Sequence, residues 1–139
     1  MKLHYLKIAI VFKWERADQY VSGDEIAYDT IKYFDVARAK NGGDVLDLTD
    51  FLVNAGRIGY AVGNLTNYLH FEEQFNANGQ LLGTLIYVST QGTYTGGYEN
   101  ANGIGTDQKI FLENVNLVTK TDENGQTLVK YSDAEIIET

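Results

Sequence analysis

The 139-residue sequence predicts a single all-β domain (1–139) with about seven or eight strands, arranged as a small barrel or sandwich. Three observations predict this class: an alternating apolar and polar segment near the start, two hairpins centred on Asn-Gly pairs, and a long glycine-rich loop between them. The length is typical of one domain, since a chain of this size buries enough surface for a single core.

The first strand is predicted from period-2 alternation. In residues 6–14 the apolar side chains Leu6, Ile8, Ile10, Phe12 and Trp14 fall on one face, and two lysines fall on the other. A weaker alternating segment at 30–38 is followed by a turn at 41–43, and residues 44–54 predict a strand broken by a turn.

The two hairpins are predicted from the residues of their turns. Segments 66–77 and 80–90 flank Asn78-Gly79, and segments 109–123 and 126–137 flank Asn124-Gly125. Asn-Gly supplies the two positive φ angles of a type I′ turn, which is the strongest short hairpin signal. Between the hairpins, residues 91–107 contain five glycines and three threonines and predict a long loop, which is a lid, a binding loop or a mobile connection.

A two-residue turn at Asn78-Gly79 fixes the faces of the first hairpin. One face is mainly apolar and pairs Phe75 with Leu82, Glu73 with Thr84, Phe71 with Ile86 and Leu69 with Val88. The other face, which is more polar and is expected to be more exposed to solvent, pairs His70 with Tyr87 and also carries Glu72. His70 and Glu72 are two residues apart on a strand, about 7 Å between Cβ atoms, so direct contact between them is not guaranteed.

Each hairpin places one glutamate in an apolar face. In the first hairpin this glutamate is Glu73. In the second hairpin it is Glu113, which shares its face with Phe111, Val115, Leu117, Ala134 and Ile136. A carboxylate buried among apolar groups holds its proton more tightly, which suits a general acid or base. The alternative is that either glutamate lies near a strand end, reaches solvent or forms an ion pair with a lysine or arginine such as Arg57.

Composition excludes several classes of function. There is no cysteine, so disulfides, thiolate nucleophiles and cysteine-ligated metals are excluded, and the two histidines lack a metal-binding spacing. A net charge of −8 with scattered lysines and arginines disfavours nucleic acid and anionic membranes as partners. No apolar run approaches the ~18 residues of a membrane helix, and we expect a cytoplasmic protein without metal or cofactor.

One segment resembles a known family. Residues 46–63, LDLTDFLVNAGRIGYAVG, are similar to the acidic apolar strand, turn and Gly-x-Ile-Gly element of the allene oxide cyclase-like barrels, which include bacterial spirotetronate cyclases and, more distantly, dirigent proteins. The 69–88 hairpin resembles the middle hairpin of that family. Thr95-Gly96-Gly97-Tyr98 resembles its glycine-rich segment, although residues 99–102 depart from it. The similarity covers about a third of the chain.

The resemblance implies a small antiparallel β-barrel, of the allene oxide cyclase or calycin kind, often a homodimer or homotrimer. Such a barrel binds a small hydrophobic molecule in its lumen and promotes ring closure without a cofactor, by folding the substrate into a reactive conformer. No catalytic residue of the family aligns with this sequence. The cysteine of the plant enzymes has no counterpart here.

We therefore predict a cofactor-independent cyclase or isomerase of a biosynthetic pathway. Glu73 and Tyr60 are the expected polar participants, with Glu113 as a second acidic candidate. Trp14, Phe71, Phe75, Ile86 and Phe111 would shape the substrate pocket, and Tyr94 and Tyr98 would close it. Two alternatives remain: a lipocalin-like carrier that binds a small molecule without chemistry, and a sheet-based interaction module with a solid core.

Overall fold

The computed structural model describes residues 10–15, 26–35, 43–52, 55, 64–121, 127–129 and 137–138. These residues form nine strands and one short 3-10 helix, Leu65–Asn67. The strands are β1 Val11–Lys13, β2 Ala27–Ile31, β3 Val45–Asp47, β4 Leu69–Phe75, β5 Leu81–Val88, β6 Gln108–Glu113, β7 Val118–Thr121, β8 Thr127–Val129 and β9 Ile137–Glu138.

The described strands form three sheets. The largest has the order β2-β6-β5-β4, a second has the order β1-β3-β9, and the third pairs β7 with β8. The all-β prediction is confirmed. None of these sheets closes on itself within the described ranges, because the largest ends at β2 on one edge and at β4 on the other.

Strand directions depart in part from the predicted antiparallel arrangement. Strands β4, β5 and β6 form an antiparallel meander, and β7 pairs antiparallel with β8. By contrast, β2 runs parallel to β6, and β3 runs parallel to both β1 and β9. A parallel pair needs a long crossover rather than a tight turn, so turn signals in the sequence do not predict it.

The first hairpin has the predicted register except at its tip. Glu73 pairs with Thr84, and Phe71 pairs with Ile86, but Phe75 pairs with Leu81 instead of Leu82 because a bulge follows Gln74. The turn contains one left-handed residue, Gly79 at φ 77.

The side chain of Asn76 explains the altered tip. Its Oδ1 accepts hydrogen bonds from the backbone N–H groups of Asn78 and Gln80, at 2.9 Å each. The N–H of Gly79 also donates to the Asn76 carbonyl, at 3.0 Å. The turn is therefore the three-residue loop with a left-handed glycine, not the predicted type I′ turn.

The second predicted hairpin is confirmed in part. Strands β7 and β8 pair antiparallel, as expected for a hairpin. Residues 122–126, which join them and include Asn124-Gly125, lie outside the described residues. The predicted long strand 109–123 is wrong, because it is divided into β6 and β7. Asn114, at φ 59, ends β6, and the chain leaves the sheet there.

The core lies against one face of the large sheet, called here the inner face. Phe71, Ile86, Ile110 and Leu112 of this face are buried. The other buried apolar residues that pack with them include Trp14, Phe34, Leu46, Leu48, Phe51, Leu52, Leu65, Tyr68 and Leu117. At about 25 cal/mol per Å² of apolar surface removed from water, this contiguous cluster is the main source of stability.

Two buried polar side chains, Thr84 and Asp44, hold neighbouring segments together through hydrogen bonds. Thr84 Oγ1 donates to the Val115 carbonyl at 2.6 Å and accepts from the Leu117 N–H at 3.0 Å, which holds the segment after β6 against β5. Asp44, only 2% exposed, accepts from the N–H groups of Ile10 and Asp35. These bonds satisfy backbone donors and acceptors that would otherwise be costly to bury.

Among the described residues, no helix has the length and hydrophobicity required to cross a lipid bilayer.

Candidate functional site

Glu73 lies at the edge of the core rather than inside it. Its side chain is half-buried on the inner face of β4, and Oε2 accepts a hydrogen bond from Asn116 Nδ2 at 2.9 Å. The same Asn116 accepts from the Val118 N–H at 2.8 Å. Asn116 therefore connects β4 to the start of β7 through Glu73.

The predicted pocket residues are divided between core and surface. Trp14, Phe71 and Ile86 are buried in the contiguous hydrophobic core. Phe75, near the hairpin tip, is 50% exposed. Phe75 therefore lies away from the other three.

Phe111 and Glu113 were expected on an apolar face with Val115 and Leu117. The structure contradicts this, because β6 buries Gln108, Ile110 and Leu112 and directs Phe111 and Glu113 to the opposite, outer face. The strand break at Asn114 reverses the alternation that the sequence argument carried through to Val115. Glu113 Oε2 lies 3.9 Å from the Nζ of Lys32, a lysine at the surface.

Tyr94 and Tyr98 occupy the loop between β5 and β6, as predicted, but in different surroundings. Tyr94 is fully buried, and its hydroxyl is hydrogen-bonded to Thr106 Oγ1. In this conformation Tyr94 fastens the loop and does not face solvent. Tyr60 lies outside the described residues.

Tyr98 belongs to a cluster of four rings, called here the aromatic cluster: His70, Tyr87, Tyr94 and Tyr98. The Tyr98 ring stacks on His70 at 4.1 Å between centroids, meets Tyr94 edge-on at 5.2 Å and lies 4.8 Å from Tyr87. Offset and edge-to-face contacts of this kind are favourable for aromatic rings. They attach the loop to the outer face of the large sheet.

The outer face extends the aromatic cluster into a row across all four strands. The register places Tyr28 of β2, Lys109 of β6, Tyr87 of β5 and His70 of β4 side by side. Neighbouring strands are about 4.8 Å apart, so this row spans roughly 14 Å. Tyr28 is 55% exposed, and Lys109 Nζ lies 5.3 Å from the centre of the Tyr87 ring.

Carboxylate and amide groups border this row. Glu72 Oε2 is 3.5 Å from His70 Nε2, and Gln74 Nε2 donates to Glu72 Oε1 at 3.0 Å. The contact between His70 and Glu72, which strand spacing left open, is therefore made by side chains leaning toward each other. Glu72 has a side chain 46% exposed, so its carboxylate is accessible to a ligand.

Two tyrosine hydroxyls of the aromatic cluster hold their protons tightly. Burial, followed by the nearby Glu72 carboxylate and Tyr98, raises the pKa of Tyr87 to about 12. Burial also raises the pKa of Tyr94 to about 12, against the opposing effect of its hydrogen bond to Thr106. Both remain neutral hydroxyls at physiological pH.

Sequence reasoning missed Tyr28 and Lys109 as members of the site. The hairpin pattern predicts that His70 and Tyr87 share a solvent-exposed face. Lys109 and Tyr28 join that face only because β6 pairs with both β5 and β2. In the described part of the chain, no group of three or more His, Asp or Glu side chains is arranged to hold a metal ion.

No protein-family model, curated protein or solved structure matches this chain.

Proposed function

We propose that the chain binds a small, neutral, ring-shaped polar molecule on the outer face, and that the ligand class is a saccharide. The single observation that carries this proposal is the row of Tyr28, Lys109, Tyr87 and His70 across four paired strands. Aromatic faces present negative potential to the C–H groups of a sugar ring, and the charged groups around them bond its hydroxyls.

The charges around the row favour a polar ligand over the small hydrophobic molecule expected from the sequence. Glu72, beside His70, supplies acceptor oxygens, and Lys109, beside Tyr87, supplies donor protons. An apolar ligand would desolvate these groups without bonding them, which is costly. The net charge of −8 also disfavours an anionic ligand.

The test is an NMR titration of backbone amides with cellobiose and maltose. Binding on the outer face should shift amides near His70, Tyr87 and Lys109, and Tyr28→Ala should weaken it about tenfold by removing the exposed ring. Tyr33→Ala is the matched control, because Tyr33 is also an exposed tyrosine but is not in the row. Absence of shifts with both sugars would contradict the proposal.

A second candidate is the cofactor-independent cyclase or isomerase. It is favoured by the contact of His70 with Glu72, because a general base needs a partner that orients it, and by the protonated Tyr87 hydroxyl beside them, which can donate to a developing oxyanion. The resemblance to the allene oxide cyclase-like barrels supports an alternative position, with a hydrophobic substrate beside Glu73 on the inner face of a closed barrel.

Mass spectrometry of small molecules that co-purify with the protein separates these possibilities. A ring-closed product recovered from an added open-chain substrate would support the cyclase, and a ligand recovered unchanged would support a carrier. If turnover occurs, His70→Gln should abolish it for an outer-face site, and Glu73→Gln should abolish it for an inner-face site. Turnover that survives both substitutions would exclude both residues from the mechanism.

A further inference from the structure

A cavity lies at the end of the large sheet where strands β2 and β6 terminate. Because these two strands are parallel, their carboxyl ends lie side by side, with Ile31 paired to Leu112. The last residue of β6 and the residues that follow both strands form an open cavity of about 210 Å³, lined by Lys32, Tyr33, Phe34, Glu113, Asn114 and Val115.

Both chain segments around this cavity have unusual backbone conformations. Tyr33 has φ 62 and Asn114 has φ 59, in the left-handed region that residues other than glycine rarely adopt. Asparagine tolerates this region well, but tyrosine does not. Strained residues of this kind persist where the surrounding structure holds them, and they cluster at ligand sites.

The side chain of Tyr33 adds a second unusual feature. It is 94% exposed, the most exposed large apolar side chain of the described residues, and it stands at the cavity. A strained backbone therefore presents an aromatic ring to solvent beside a concave surface.

The lining combines an apolar floor with two opposite charges. Phe34 and Val115 are buried at 4% and 9% exposure. The Lys32 ammonium and the Glu113 carboxylate are 3.9 Å apart, which is beyond direct hydrogen-bond distance, and both side chains remain accessible. Each charge can therefore also contact a ligand ion.

From these features we propose that the cavity binds a free α-amino acid with an apolar or aromatic side chain. The ligand carboxylate meets Lys32, its ammonium meets Glu113, and its side chain lies on Phe34 and Val115 beside the Tyr33 ring. The volume is sufficient, because a cavity of about 150 Å³ already holds a benzene ring. This site is separate from the saccharide site proposed for the outer face.

Three related probes test the proposal by amide NMR: L-phenylalanine, phenethylamine and phenylpropanoate. The last two each lack one of the two charges. L-phenylalanine should shift the Asn114 and Val115 amides at the lowest concentration. Glu113→Gln should weaken L-phenylalanine and phenethylamine about fivefold and leave phenylpropanoate unchanged, and Lys32→Met should weaken L-phenylalanine and phenylpropanoate instead.

Lys13→Met and Glu99→Gln are matched controls, since both remove an exposed charge away from the cavity, and neither should change binding. Absence of shifts at Asn114 and Val115 with millimolar L-phenylalanine would overturn the proposal. Equal weakening of all three probes by both variants would also overturn it, because it would show that the charges do not contact the ligand ions. Shifts confined to His70 and Tyr87 would assign the amino acid to the outer face and likewise refute this site.

Discussion

The imidazole of His70 lies parallel to the phenol ring of Tyr98, with centroids 4.1 Å apart and planes inclined by 5°. His70 belongs to β4 and Tyr98 to the loop that joins β5 to β6, so this stack connects two segments that no backbone ladder joins. The loop thereby places an aromatic residue on the outer face, beside His70 and Tyr87.

Replacing Tyr98 with alanine should loosen the contact between the loop and the outer face of the sheet. The variant loses the ring contacts with His70, Tyr87 and Tyr94, and we expect the free energy of unfolding to fall by about 1–2 kcal/mol. Urea denaturation measures the loss, and hydrogen exchange should show faster exchange in residues 89–107. Tyr98→Phe keeps the ring and should retain most of the stability; an equal loss in both variants would mean that the stack contributes little.

Replacing Thr84 with valine should cost about 2–3 kcal/mol, because the Val115 carbonyl and the Leu117 N–H would lose a buried partner while side-chain volume stays nearly constant. Thr84→Ser keeps the hydroxyl and serves as the control. Thermal denaturation of the two variants gives the comparison. If valine were tolerated as well as serine, these two hydrogen bonds would not matter for stability.

Two glycines with positive φ angles, Gly83 at 154° and Gly79 at 77°, differ in the space available for a side chain. A Cβ at Gly83 would lie 2.2 Å from the Leu112 carbonyl oxygen and 2.9 Å from the Phe111 ring, so Gly83→Ala should lose about 3 kcal/mol. A Cβ at Gly79 would meet nothing within 4 Å, but the residue is left-handed, so Gly79→Ala should lose only about 1 kcal/mol. Chemical denaturation measures both, and a larger loss at Gly79 would contradict the packing described between β5 and β6.

Alkaline pH should destabilise the protein through its buried tyrosines. The pKa of Tyr94 is raised from 10.0 to about 12, so above pH 10 the unfolded chain releases this proton while the folded chain keeps it. The associated stability is complete below pH 10 and is lost toward pH 12, at roughly 1.4 kcal/mol per pH unit. Tyr87 acts in the same direction.

Urea denaturation at a series of alkaline pH values measures this loss. Tyr94→Phe should make the decline shallower, although the variant also loses the bond to Thr106 at every pH. Tyr33→Phe, which removes one hydroxyl from a residue exposed to water, is the matched control for the loss of a tyrosine. A slope independent of Tyr94 would show that its proton is not held as described.

Local chemistry was enough to predict the hairpin of β4 and β5. Alternation fixed which side chains share a face, so the pairs of Phe71 with Ile86 and of His70 with Tyr87 follow from the residues themselves. The tip departed by one residue because the Asn76 side chain accepts two backbone hydrogen bonds and stabilises a longer turn. That competition between turn types involves only a few residues, yet propensity alone does not decide it.

The position of Glu113 could not be predicted in the same way. Alternation carried through Asn114, where a left-handed residue ends the strand, groups Phe111 and Glu113 with the buried residues Val115 and Leu117, whereas β6 directs both of them to the outer face. A single backbone conformation at one position therefore moved the expected catalytic carboxylate from the interior to a cavity beside Lys32.

The sequence by itself determined the all-β class, the first hairpin and the wet face that carries His70 and Tyr87, because these depend on contacts between residues close along the chain. Only the tertiary structure decided that Tyr28 and Lys109 complete the row, and that Tyr98 stacks on His70. These neighbours are separated by long crossovers and loops, and their pairing depends on how the whole chain buries its apolar surface, which no local pattern records.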